Sequence, residues 1–344
     1  MTDRLGAERG SRKSEARNRP SAGGPTSGLR AVTPNIAGLA EVQRALLAWH
    51  RENGLRAPWR ESRDPYHVLV AAVMAQQTQM SRVMPAYERF LMSFPTVDAL
   101  AAARTADVIR AWAGMGYNQR ALRLRRAART VVADGWPHNA AALVKIEGIG
   151  PFTAAIIASF AFGEPAACVD TNVRRVLGRL AGDPAIGAGA LQRLADRSLA
   201  VKDPARWNQA VMDYGARVCT PRPKCEVCVV AEWCAWHASN SDAPALPMVA
   251  EERASYVAKP ARRSTTAAED DGARRYYRGR TIDVLRGLPA GKRIEVGAIA
   301  ALLGDRHPTP TPAEMRALVD GLVRDGLAAL DEGDGIAAVS LPED

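Results

Sequence analysis

Four of the five cysteines of this chain fall in one short window, Cys219-x5-Cys225-x2-Cys228-x5-Cys234. Secreted proteins stapled by disulfides spread their cysteines along the chain, and the stretch from Met1 to Pro20 is too polar for a secretory signal. The window also holds Pro221, Arg222, Pro223 and Lys224, which makes it too polar for a core. It therefore reads as a set of metal ligands. Four thiolates this close can wrap an iron–sulfur cubane from one side, whereas zinc sites more often pair two separated Cys-x2-Cys knuckles. The spacing favours a [4Fe-4S] cluster on Cys219, Cys225, Cys228 and Cys234, with zinc as the alternative. Cys168 lies outside the set and reads as a small packing residue.

The region that must present this loop is helical. From Ile36 to about Ala235 apolar residues recur at three- and four-residue spacing, in segments 39–52, 66–76, 81–92, 97–102, 105–113, 119–133 and 139–146, and no convincing period-2 strand interrupts them. The stretch 152–162 is nearly all apolar, which places it at the centre of a bundle. Residues 1–37, rich in Arg, Ser, Gly and Pro, read as a basic disordered tail ahead of an all-α domain over 38–237. Residues 238–272 turn to Ser, Ala, Pro and mixed charge, as a linker does. A second small domain, 273–344, reads as helices Thr281–Leu288, Val296–Leu303 and Pro312–Asp325 followed by two short strands about Glu332-Gly333-Asp334-Gly335. That order is winged-helix-like, and the polar linker predicts that the two domains fold independently.

The balance of 46 Lys and Arg against 37 Asp and Glu, a net charge of +9, points to a polyanionic partner, because cations that neutralise phosphates release counterions. The Arg-rich helix 119–133, with Arg120, Arg123, Arg125, Arg126 and Arg129, is a candidate phosphate-facing surface or else a solvated face. No apolar run is long enough for a membrane span. A cytoplasmic, nucleoid-associated monomer is expected.

Two motifs carry candidate chemistry. In Ile146-Glu147-Gly148-Ile149-Gly150-Pro151, Gly148 and Gly150 let a turn expose backbone N–H groups at a helix N-terminus, a geometry that holds one phosphate without reading sequence. Taken alone it is equally a tight helix–helix turn. Twenty residues later Asp170 precedes a second periodic helix, within Val169-Asp170-Thr171-Asn172-Val173-Arg174-Arg175-Val176. Taken alone it is an N-cap.

Hairpin, apolar helix, Asp loop and cysteine window in this order resemble the helix-hairpin-helix (HhH-GPD) DNA glycosylases over about residues 39–235. Pro58-Trp59-Arg60, Arg63-Asp64-Pro65-Tyr66, Gln76-Gln77-Thr78-Gln79 and Gly114-Met115-Gly116-Tyr117 are similar to blocks of the A/G-specific adenine glycosylase, or MutY-type, branch. The resemblance implies an all-α helix-hairpin-helix fold and hydrolysis of the N-glycosidic bond of a flipped base in double-stranded DNA, adenine opposite guanine or 8-oxoguanine. It implies Asp170 as the catalytic carboxylate beside the sugar. Gln77 would enter the space left by the flipped base, Tyr117 would wedge beside the opposite base, and Asn172 would support the Asp170 loop. Gly148, Gly150 and Arg174 would complete the DNA contacts.

Several positions depart from the pattern. The family's general-acid Glu falls four residues before the first glutamine of Gln-Gln-Thr, and that position is Ala72, which cannot protonate a purine. The frequent Tyr or Ser after the hairpin is Phe152. Endonuclease III places its Schiff-base lysine there, so a monofunctional glycosylase without lyase chemistry is expected. The first cysteine gap is one residue shorter than the usual six, and the C-terminal region is too short and too helical for a Nudix-like lesion reader. Uracil or thymine excision from mismatches, and lesion binding with little turnover, are the alternatives these departures leave open.

Overall fold

The computed structural model describes residues 35–240, 265–304, 307–333 and 336–344. The basic tail, most of the linker and the Asp334-Gly335 turn lie outside these residues. The expected helices form, with ends set by local chemistry. Asp64 caps Pro65–Ala75 by accepting from the Tyr66 amide at 2.8 Å, and Pro65 takes the first helical position, where its missing N–H costs nothing. Pro151–Phe162 starts behind Gly150 and stops at Gly163, whose φ of 71° is left-handed. Both helices are buried on nearly every face and pack on each other, as their continuous apolar sequences require.

Two apolar cores result. One gathers Pro65–Ala75, Met80–Ser93, Val97–Ala102, Gln119–Asp134 and Pro151–Phe162 around Phe90, Leu69, Trp112 and Ile157. The other gathers Leu39–Asn53, Thr171–Leu180, Ala188–Arg197 and Pro204–Arg217 around Leu46, Leu177, Trp207 and Tyr214, with Cys219, Cys228 and Cys234 packed on its edge. The predicted helix 139–146 is shorter than its periodicity suggests. It ends at Leu143, because the chain must turn into the Gly148 hairpin and leaves Val144 and Lys145 exposed.

The C-terminal segment runs helix Thr265–Gly287, strand Ile294–Glu295, helix Val296–Ile299, helix Pro312–Arg324 and strands Ala329–Asp331 and Ala338–Ser340. Its antiparallel sheet has Val339 between Ile294 and Leu330, so the last strand is central. Helix, strand, two helices and two strands is the order of a winged helix. The strand at Ile294 is too short to show as alternation in the sequence, and the first helix begins inside the expected linker.

The C-terminal segment packs on the helical body. Ala106, Ile109 and Leu122 of the helical body share one core with Ile282, Leu285, Leu318 and Leu322, and the main chains of Thr105 and Ala106 donate to the carbonyls of Asp344 and Pro342. The described residues fall in one compact unit. The polar linker hid an apolar seam that only the tertiary structure brings together.

Candidate active site

Asp170 stands where the two cores meet. Cys168 belongs to the first and Ala167 to the second, so the preceding loop is fixed from both sides. Asp170 caps Thr171–Leu180, its Oδ1 accepting from the Val173 amide at 2.7 Å and its Oδ2 from Asn172 Nδ2 at 3.0 Å. Burial pushes its carboxyl above the ordinary 3.8, against the opposing pull of those hydrogen bonds and of the Arg175 charge. The cap fixes the half-buried carboxylate in one orientation.

A chain of side chains leads on from there. Asn172 Oδ1 accepts from Arg175 Nη2 at 2.7 Å, and Arg175 donates to the carbonyls of Cys219 and Gly215, each at 2.6 Å. Gly215 is glycine because a Cβ there would lie 2.7 Å from Asn172 Cβ. Arg174, expected at DNA, donates one guanidinium N–H to the Ile186 carbonyl at 2.7 Å.

The hairpin needs its first glycine twice over. Gly148 has φ 92°, and a Cβ would press within 3.0 Å of Arg123. Gly150 has open space where a Cβ would be, and the helix it precedes takes no side-chain cap, which leaves first-turn N–H groups for an outside acceptor. Arg126 pairs with Glu147 of the same turn at 2.8 Å.

Gln77 and Tyr117 are the non-glycine residues with positive φ among the described residues, at 53° and 45°. Both side chains are exposed, Tyr117 by 59%. Arg120 joins their loops. Its buried guanidinium donates to the carbonyls of Val73, Met74 and Gln76 on one side and of Met115 and Gly116 on the other, with Tyr117 stacked 5.5 Å away. The five arginines of helix 119–133 are expected to turn to phosphates or to solvent, and two of them do neither. Arg120 and Arg125 point inward, the latter onto Thr105 and the Asp344 carbonyl, while Arg123, Arg126 and Arg129 stay exposed. The signal was present in the sequence, since Arg120 and Arg125 fall on the same stripe as Ala121, Leu124 and Ala128.

Ala72 lies one turn before Gln76, whose amide reaches Thr153 Oγ1 at 3.3 Å. Ala72 and Phe152 pack on the rim of the same core. The position that the resemblance assigns to an acid and the position after the hairpin are thus each next to the core that the helices Pro65–Ala75 and Pro151–Phe162 build.

The four window cysteines, free of disulfides, line a single cavity together with Arg179, Lys224 and His237. Among the described residues no His, Cys, Asp or Glu side chains gather into the arrangement of a metal-ion site; what the cysteines share is the cavity. Tyr214 donates its hydroxyl to Cys228 Sγ at 3.1 Å, and Arg179 donates to Cys219 Sγ at 3.5 Å beneath the Trp236 ring.

Residues 70–199 match the family model described as HhH-GPD superfamily base excision DNA repair protein. The adenine DNA glycosylase of Mycobacterium tuberculosis is 37% identical over 272 residues, covering 74% of this chain and 81% of that protein. The human adenine DNA glycosylase is 38% identical over 221 residues, 58% of this chain and 40% of the human protein. Among solved structures, a thermostable thymine-DNA glycosylase superposes with a TM-score of 0.56 at 28% identity, covering 58% of this chain and 97% of that one. A non-covalent endonuclease III–DNA complex superposes at 0.51 with 20% identity, over 59% and 98%, and shares the fold.

Proposed function

The chain belongs to the HhH-GPD superfamily of base excision DNA repair proteins, among the adenine DNA glycosylases, and on that premise we propose that it removes a flipped, mispaired adenine from double-stranded DNA with Asp170 as its catalytic carboxylate. The observation that carries this is the placement of Asp170: a half-buried carboxylate, held on both oxygens, on a loop whose preceding residues enter both helical cores. Cleaving an N-glycosidic bond builds positive charge on the sugar, and a fixed anion in a low-dielectric site stabilises that charge without reorganising. The base must first leave the stack. Gln77 and Tyr117, projected on two loops tied together by Arg120, supply the groups that replace it and wedge beside its partner. The hairpin at Gly148 and Gly150 takes a backbone phosphate. No primary amine stands at Phe152, in keeping with hydrolysis without a Schiff base.

The four cysteines fit a [4Fe-4S] cluster. All four line one cavity, and the Tyr214 hydroxyl and Arg179 guanidinium donate to two of the sulfurs, contacts that would support thiolate ligands. Bound there, the cluster would supply a rigid tie for the loop 219–234 rather than a reacting atom.

Ala72 favours a second reading, excision of uracil or thymine from mismatches, because a pyrimidine leaves as an anion and depends less on an acid at the base. Single-turnover excision on duplexes that differ only in the mispair tests both. The proposal expects cleavage of adenine opposite guanine or 8-oxoguanine, abolished by Asp170→Asn with duplex affinity largely kept. Cleavage confined to uracil or thymine would sink the adenine reading, and turnover that survives Asp170→Asn would sink the mechanism.

A further inference from the structure

The turn that carries Tyr117 begins where Thr105–Ala111 ends and finishes where Gln119–Asp134 begins. Arg286, from the C-terminal segment, reaches both ends of it. Its Nε donates to the Ile109 carbonyl at 2.9 Å, its Nη2 to Asn118 Oδ1 at 2.8 Å, and its Nη1 to Asp283 at 2.8 Å, with the side chain 10% exposed. Alongside, Gln119 donates to the Asp325 carbonyl, and Leu122 enters the core of the C-terminal segment. Asn118 is the residue next to Tyr117, whose φ of 45° a tyrosine adopts only when its surroundings impose it.

We propose that the winged-helix-like segment is a buttress for the DNA wedge: Arg286 staples the turn 112–118 through Asn118 and Ile109 and so sets the position of Tyr117. The proposal rests on the reading of Tyr117 as the wedge and extends it. Arg120 holds the turn from the inside, through the Met115 and Gly116 carbonyls, and Arg286 holds it from the outside. A segment docked in this way acts on the substrate through the helical body. On its helix Pro312–Arg324, Arg316 is occupied by Asp320 and Glu332. Arg286 is thus a positioning residue, and its effect passes through Tyr117.

The test uses the full-length protein and a duplex with 2-aminopurine opposite guanine, whose fluorescence rises when the base unstacks. Arg286→Ala should lower the flipped fraction roughly tenfold, the loss of one charge-assisted hydrogen bond, with duplex affinity little changed and part of the signal restored in Arg286→Lys. Asn118→Ala, which leaves the Asp283 and Ile109 bonds of Arg286 in place, should reproduce the loss even if Arg286→Ala proves too unstable to use. Adding Arg286→Ala to Tyr117→Ala should cost nothing further, because the residue acts through the tyrosine. Additive losses in that double variant, or full flipping in Asn118→Ala, would overturn the buttress while leaving the wedge standing. Full flipping in Tyr117→Ala would overturn the wedge and the buttress together.

Discussion

Asn172 donates its side-chain amide to Oδ2 of Asp170 at 3.0 Å, and this bond favours the ionised form of a carboxylate that burial would otherwise neutralise. Only the ionised form stabilises a sugar cation. Because burial wins and the carboxyl titrates above 3.8, excision falls as pH drops through that raised value. Removing the bond in Asn172→Ala moves the acid limb of the single-turnover profile to higher pH. It also lowers the neutral-pH rate by roughly 10–100-fold, since a hydrogen bond to a charged group contributes about 1.5–3 kcal/mol. An unshifted acid limb would show that Asn172 does not tune Asp170.

Protein purified without oxygen should carry about four irons per chain and absorb broadly near ~400 nm. The cysteines line one cavity, and Tyr214 donates to Cys228 within it. Tyr214→Phe removes that hydroxyl while keeping the buried ring, so it should accelerate cluster loss in air without preventing assembly. Stoichiometric zinc in place of iron would defeat the assignment.

What the sequence made legible was local. Hairpin, Asp cap and cysteine window each lie within a few residues, where spacing alone dictates geometry. The residues that connect them were not legible, because their partners are distant in the chain. Arg175 meets Cys219, Gly215 meets Asn172, and Arg286 meets Asn118 only after the helices pack. Arg120 shows the intermediate case. Its position on the apolar stripe announced burial, but the carbonyls of Val73 to Gln76 that receive it belong to another helix. The seam joining the C-terminal segment to the body was hidden likewise, since Ala106, Ile109 and Leu122 read as ordinary core residues of their own helices.

Asp213, on the helix Pro204–Arg217, gathers the segment from His50 to Arg60 around one carboxylate. It accepts from both terminal nitrogens of Arg60, at 2.6 and 2.9 Å, and from the Leu55 amide at 2.8 Å, with His50 Nε2 3.4 Å away. Burial alone would raise its carboxyl, but these partners together hold it well below 3.8. The sign follows: a depressed carboxyl contributes stability in full above its unfolded value of about 3.9, and that contribution is lost as pH falls below it toward the folded value. Urea unfolding should therefore show Asp213→Ala less stable by about 3–5 kcal/mol at neutral pH, the cost of leaving Arg60 buried without its partner. The difference from the unaltered protein should shrink below about pH 4. A deficit that stayed constant into the acid range would assign the effect to packing.

The sharpest expectation concerns Ala72. Adenine departs readily only when its ring is protonated, and a positioned general acid contributes about 10²–10⁴-fold. Ala72 supplies no proton, and Phe152 at the same helix junction supplies no hydroxyl. With Asp170 as the proposed carboxylate beside the sugar, the unaltered protein should still excise adenine, but slowly. Residues four apart share a helix face, so a longer side chain at 72 lies beside Gln76, which already reaches Thr153 next to Phe152. Ala72→Glu should then raise single-turnover excision of adenine opposite 8-oxoguanine by at least about tenfold, and more in combination with Phe152→Tyr. The gain should disappear at high pH, where the introduced acid is ionised. Fast adenine removal by the unaltered protein, not improved by Ala72→Glu, would show that another group delivers the proton and that Ala72 marks no loss.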